Sequence, residues 1–156
     1  MRIADLCSPQ VVTAEADASL RDAALLMRNQ HVGALLVVER REGVTRPVGI
    51  LTDRDIVIEV VAVPGARPED VRVGDAMSTD LALAHADDGL FEAAQRMSER
   101  AVRRLPVVGP DGGLLGIVTL DDLLRVLAAE LGGLAEGLRW SRMRERDTRA
   151  PIRAPA

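Results

Sequence analysis

One phrase occurs twice. GILTDRDIV fills residues 49–57 and GIVTLDDLL fills residues 116–124, so Gly49, Ile50, Thr52 and Asp55 recur as Gly116, Ile117, Thr119 and Asp122. The likeness extends well beyond the phrase. RIADLCS (2–8) aligns with RVGDAMS (72–78) at an offset of 70. ADASLRDAALLM (16–27) aligns with ADDGLFEAAQRM (86–97), and VGALLVV (32–38) with VRRLPVV (102–108), at the same offset. The offset then drops to 67, because ERREGVTRPVG (39–49) is three residues longer than GPDGGLLG (109–116). A length change confined to a Gly-bearing polar segment between two apolar runs marks a turn between strands. Two copies of so long a period do not make a solenoid. They predict a pair of units, each burying a face against the other.

Each copy yields the same elements. A short helical turn (2–7, 71–77) precedes a brief extended piece (11–14, 81–84). A helix follows, from Ser19 to Asn29 and from Gly89 to Glu99. In the first of these, Leu20, Ala23, Ala24 and Met27 fall at i, i+3, i+4 and i+7, a single buried stripe. Two strands come next, 34–38 with 47–52 and 104–108 with 114–119. Their runs of Leu, Val and Ile predict burial on both faces. A last helix begins near Asp53 in one copy and near Leu120 in the other. VPGARPED (63–70), with two prolines and a glycine, reads as a linker. The division is therefore a repeat over 1–62, the linker 63–70, a repeat over 71–130, and an extension with a basic tail over 131–156. The fold class is α/β in the broad sense (α+β), a tandem β-α-β-β-α pair about a pseudo-two-fold.

Composition narrows the function. The chain is 47% hydrophobic but only 1% aromatic, with no Tyr. Its core must be aliphatic, and nucleic-acid binding through aromatic stacking is disfavoured. The single cysteine, Cys7, excludes an intramolecular disulfide and a Cys-based zinc site. Its counterpart in the other copy is Met77, which points to packing and not to a reactive thiol. No stretch reaches the ~18–20 apolar residues of a membrane span, so a cytoplasmic protein is expected, without membrane partners.

The doubled unit, with its two G-h-x-T-x-x-D phrases and its h-x-D-h-M-S-like openings, resembles the CBS domain family, the cystathionine-β-synthase regulatory module. The resemblance covers residues 1 to about 130. From the residues alone, Thr52 ends a strand and Asp55 lies in the first turn of a helix. There a hydroxyl caps free N–H groups or binds an anion beside them, and a carboxylate complements the helix dipole. Asp53 and Asp121 are available for capping, which would leave Asp55 and Asp122 for other work. A carboxylate accepting two hydroxyl hydrogen bonds is a common way to hold a ribose diol. The resemblance implies the same: each aspartate on a ribose, with Thr52 and Thr119 reaching ribose or phosphate. It further implies that adenine slides between the first two strands, at Val12, Thr13, Gly33, Ala34 and Leu35, and at Leu83, Arg104, Leu105 and Pro106.

Charge separates the copies. Arg54 offers phosphate a bidentate guanidinium where the second copy has Asp121, so the Asp55 cleft is the expected phosphate site. Conversely Arg103 and Arg104 stand where the first copy has Gly33 and Ala34, and, with the clefts close across the pseudo-axis, either set of arginines could serve either ligand. His31, at a helix end, reads as a cap more than a phosphate contact.

Catalysis finds few parts. Asp53 and Asp55 give only two metal ligands, His85 has no evident nucleophile, and GGLLG (112–116) lacks the Lys-Ser/Thr of a P-loop. The expectation is a non-enzyme with no cofactor and no metal, binding AMP, ADP, ATP, NAD or S-adenosylmethionine and signalling in trans to an effector protein. The resemblance also implies a homodimer. The alternative is a scaffold without a ligand that docks a partner through its C-terminal helix.

That helix should run from Leu120 to about residue 146. Leu127, Leu131, Leu134 and Leu138 keep a stripe in spite of Gly132, Gly133 and Gly137, and it would pack on a second subunit or back on the body. Trp140 and Met143 lie near its end. From Arg139 six arginines face only Glu145 and Asp147, against a net charge of −4 for the whole chain. A basic segment suggests nucleic acid or acidic membrane, but complementing the acidic body fits better. DTRAPIRAPA (147–156) is expected to fray.

Overall fold

The structure, a computed structural model, describes residues 1–148, with side chains through Glu145. It divides into two compact units, residues 1–120 and the remainder from Asp121. The first unit holds two three-stranded sheets. In one, β1 (Thr13–Glu15) pairs in parallel with β2 (Ala34–Arg41), which pairs antiparallel with β3 (Val44–Thr52). In the other, β4 (Ala84–His85), β5 (Arg104–Val108) and β6 (Leu114–Thr119) repeat that order and those directions. Even the irregularity is duplicated: the register slips between Val37 and Val38 and again between Val107 and Val108.

α1 (Leu20–Gln30) starts at Ser19, whose Oγ accepts the Asp22 N–H at 3.1 Å. It buries Leu20, Ala23 and Met27, and α4 (Leu90–Glu99) buries Leu90, Ala93 and Met97 at the same offset. α1 ends on a non-glycine residue in the left-handed region, His31 at φ 54°, and Ala101, one residue past the cap of α4, takes the same conformation at φ 51°. β2 buries Leu35, Leu36, Val37 and Val38 in succession, and Leu105, Val107 and Val108 do the same in β5. Such runs cover both faces of a central strand.

Several details depart from expectation. The extended pieces expected at 11–14 and 81–84 start later, as β1 over Thr13–Glu15 and β4 over Ala84–His85. The strands expected at 34–38 and 47–52 extend to Arg41 and back to Val44, because Glu42 and Gly43 take φ of 51° and 80° and close a tight two-residue hairpin. The three extra residues of the first copy thus lengthen strands, not a loop. The helix from Asp53 is only one turn, α2 (Asp53–Ile56), before it widens into a π-helical turn over Val57–Val61 with Ala62 N–H bonded to Val57 O at 2.9 Å. Val57, Ile58, Val60 and Val61 are β-branched and support regular helix poorly. The last helix, α5 (Leu120–Thr148), runs past residue 146, so Asp147 and Thr148 continue it. The rest of the segment expected to fray lies outside the described residues.

The opening segments cross over. Ile3 N–H bonds to Asp88 O at 2.9 Å and Ala4 N–H to Ala86 O at 3.0 Å, while Ser8 and Ile117 exchange two backbone hydrogen bonds of 2.9 Å. In the mirror-image exchange, α3 (Val73–Ala76) sends Val73 N–H to Ala18 O and Gly74 N–H to Ala16 O, and Ser78 pairs with Ile50. Val73 is fully buried in one core with Leu20, Met27, Leu35 and Leu51, and Ile3 is equally enclosed. Each repeat's opening therefore completes the other repeat.

Candidate ligand-binding cleft

Where the two sheets meet, a cleft of about 250 Å³ opens. Its walls come from both repeats. Gln10, Val11 and Val12 lead into β1; His31, Val32 and Gly33 connect α1 to β2, which adds Ala34, Leu35 and Leu36; Ile50, Arg104, Ile117 and Thr119 complete it. Ile50 and Ile117 occupy the same position in the repeated phrase, so the cleft lies at the junction of the two copies. Gly33 is fixed on its outer side: its carbonyl accepts the Asp53 N–H at 3.1 Å, and a Cβ there would stand 3.2 Å from Asp53 Oδ2. The cavity is mostly apolar. Arg104, exposed, is the first residue of β5 and sits opposite Thr119 on β6.

Six expected site residues thus line one cavity: Val12, Gly33, Ala34, Leu35, Arg104 and Thr119. The others lie elsewhere. Thr13 pairs with Leu36 within the sheet, and Leu105 and Pro106 are buried opposite Val118 and Ile117. Leu83 uses its carbonyl to accept Arg96 Nη1 at 2.8 Å. Arg103 is exposed, its carbonyl accepting the Leu120 N–H at 2.9 Å. Thr52, Arg54 and Asp55 gather at the start of α2, outside the cavity lining. In the second unit, Asp122 makes an ion pair with Arg125 at 3.4 Å. Gln10, Val11, Val32, Leu36, Ile50 and Ile117 were not anticipated; His31 both lines the cleft and ends α1.

One inference from sequence needs correction. Asp55 is not spared from capping by Asp53. Thr52 Oγ1–H and Thr52 N–H both donate to Asp55 Oδ2 at 2.7 Å, and Asp55 N–H returns a bond to Thr52 Oγ1 at 3.3 Å. This reciprocal box needs its carboxylate three residues after the hydroxyl, where Asp55 stands and Asp53 does not. Asp53 instead accepts the Arg54 N–H at 2.8 Å.

A second polar group lies at Asp88. Burial alone would raise its carboxyl, but the His85 N–H at 2.8 Å and the Arg96 guanidinium prevail and hold it below the ordinary value. Cys7 is half-buried; burial, with the Asp5 charge nearby, pushes its thiol up against a weaker backbone hydrogen bond. Among the described residues, no group of three or more His, Cys, Asp or Glu is placed to hold a metal ion, and no helix is long and apolar enough to cross a membrane.

The sequence model of the CBS domain matches the chain twice, over residues 3–62 and 73–129. The CBS domain-containing protein YhcV of Bacillus subtilis is 38% identical over 121 residues, 78% of this chain and 81% of that protein. An uncharacterized protein of Methanopyrus kandleri is 33% identical over 124 residues; the match takes in 80% of this chain and 61% of that longer relative. Among solved structures, a protein with CBS domains from Burkholderia ambifaria superposes with a TM-score of 0.69 at 26% identity, covering 83% of this chain and 95% of that one. The cytosolic domain of the Mg2+ channel MgtE, solved in complex with ATP, gives 0.65 at 27% identity, over 78% of this chain and 46% of that one.

Proposed function

The chain belongs to the CBS domain family as a paired regulatory module, and from that premise we propose that its inter-repeat cleft binds an adenosine-containing small molecule. Occupancy passes to an effector protein in trans. The observation that carries the reading is that Ile50 and Ile117 line one cavity, so a ligand there touches both repeats at once. Pockets that take small molecules are concave and largely apolar, with few polar groups to orient the ligand, and run from ~300 Å³ upward. About 250 Å³ suits a base-sized group whose polar end reaches outward. Val12 and the Gly33–Leu35 stretch flank the base, Thr119 offers a hydroxyl, and Arg104 meets a phosphate. The ATP complex of the MgtE domain supports this ligand class. The Arg104 and Thr119 side of the cleft, rather than Arg54, becomes the preferred phosphate end. A homodimer is part of the same reading.

Calorimetric titration tests it, with AMP, ATP, NAD, S-adenosylmethionine and plain adenosine. Arg104→Glu should weaken the phosphate-bearing ligands roughly 10- to 100-fold, the worth of one charge-assisted hydrogen bond, and leave adenosine unchanged. Silence from all five on the wild-type protein rejects the ligand reading and leaves an interaction module.

A further inference from the structure

α5 carries more than an apolar stripe. Leu120, Leu124, Leu127, Leu131, Leu134 and Leu138 alternate spacings of four and three, the repeat that forms a seam between two supercoiled helices. Its outer leucines are exposed: Leu131 is 66% exposed, Leu134 67% and Leu138 65%. Three consecutive seam leucines open to water, on a helix weakened by Gly132, Gly133 and Gly137, make a poor free-standing element.

Charge indicates the occupant. Between Asp121 and Glu136 the helix has four acids and one arginine; between Arg139 and Arg146 it has four arginines and one acid. Two parallel copies would set like charge beside like. Two antiparallel copies set the acidic half of each against the basic half of the other, and their helix dipoles oppose. The dipole of a single helix accounts for the charge order, but not for leucines at each seam position from 120 to 138.

We propose that α5 is a self-association element that pairs antiparallel with α5 of a second copy. Placing Leu134 against Leu138 of the other chain puts Leu131 opposite Ser141 and brings Glu130 near Arg144. Gly137 then lies beside the dyad, and the space where its Cβ would stand is open, so the two backbones can approach closely. This pairing does not depend on the ligand reading.

Sedimentation and light scattering of the full chain test it. The wild type should have twice the monomer mass, and Leu131→Glu/Leu138→Glu should halve it without shifting the unfolding of the sheet unit. For direction, chains carrying Leu131→Cys and chains carrying Ser141→Cys, both with Cys7→Ser, are oxidised separately and mixed. Antiparallel pairing predicts cross-links only in the mixture. A monomeric wild type, a dimer that survives the double glutamate variant, or cross-links within Leu131→Cys alone each overturns the proposal.

Discussion

Gly116→Ala provides the sharpest test of the crossed openings. An added Cβ would stand 2.4 Å from Ser8 O and 3.0 Å from Ser8 C, and both are backbone atoms. Neither can rotate aside. Relief requires the Ser8–Ile117 bridge to open, which forfeits two hydrogen bonds of 2.9 Å. At ~0.5–1.5 kcal/mol each, the loss is about 1–3 kcal/mol. If the opening detaches as far as Ile3, exposing that side chain adds ~1.5–3 kcal/mol more. The equivalent change, Gly49→Ala, meets Met77 Sδ at 2.4 Å and Ser78 O only at 3.1 Å. A thioether can move, so this substitution should cost about 1 kcal/mol or less beyond what its neighbours absorb. Urea unfolding of both variants, with hydrogen exchange at Ser8 and Ile117, reads the difference. Should Gly116→Ala fall within about 0.5 kcal/mol of wild type, or prove milder than Gly49→Ala, the crossed arrangement is wrong.

Other consequences can be checked on the same protein. Thr52→Val and Asp55→Ala should each cost about 1 kcal/mol in stability with no ligand present, and less than additively together, since they share one capping box; denaturant midpoints will show it. Asp88 has a depressed carboxyl, so its stabilisation is complete above the unfolded pKa and drains away as pH falls through the lower folded one. Asp88→Asn should therefore lose about 1 kcal/mol near neutrality, and the gap from wild type should close in acid, as measured by urea midpoints across pH. The raised Cys7 thiol should react with an aromatic disulfide reagent more slowly in the folded chain than in the urea-unfolded one.

The local grammar of each repeat was legible. Period and punctuation placed α1 and α4 within a residue or two, and the 104–108 and 114–119 strands without error, because those signals lie within the segments themselves. The Thr52–Asp55 box was legible as well, in T-D-R-D, but an argument from elimination discounted it: a reciprocal cap depends on spacing, not on which acid is nearest. The hairpin extension could not be read with the same assurance, since three added residues fit a longer loop as well as longer strands. Least accessible were the partners of Ile3 and Ser8, at Asp88 and Ile117, because no periodicity reports on residues so far apart. That same distance hid the part that Ile117 plays: it lines the cleft from the second copy, together with Val12 of the first. The reach of Arg104 across the pseudo-axis was legible, since either set of arginines could serve either cleft.

The Ser8–Ile117 bridge also imposes an order of events during synthesis. At ~5–20 residues per second, the ribosome needs on the order of 5–20 s to pass from residue 8 to residue 117. Through that interval the strands of the first repeat can pair, yet Ile3 has no pocket and Ser8 no partner. The first core is likewise incomplete until Val73 emerges. Ile3 and Ser8, made well before β6, thus wait for it to find their places, and a nascent chain stalled before β6 exposes an apolar segment that a neighbouring nascent chain could capture.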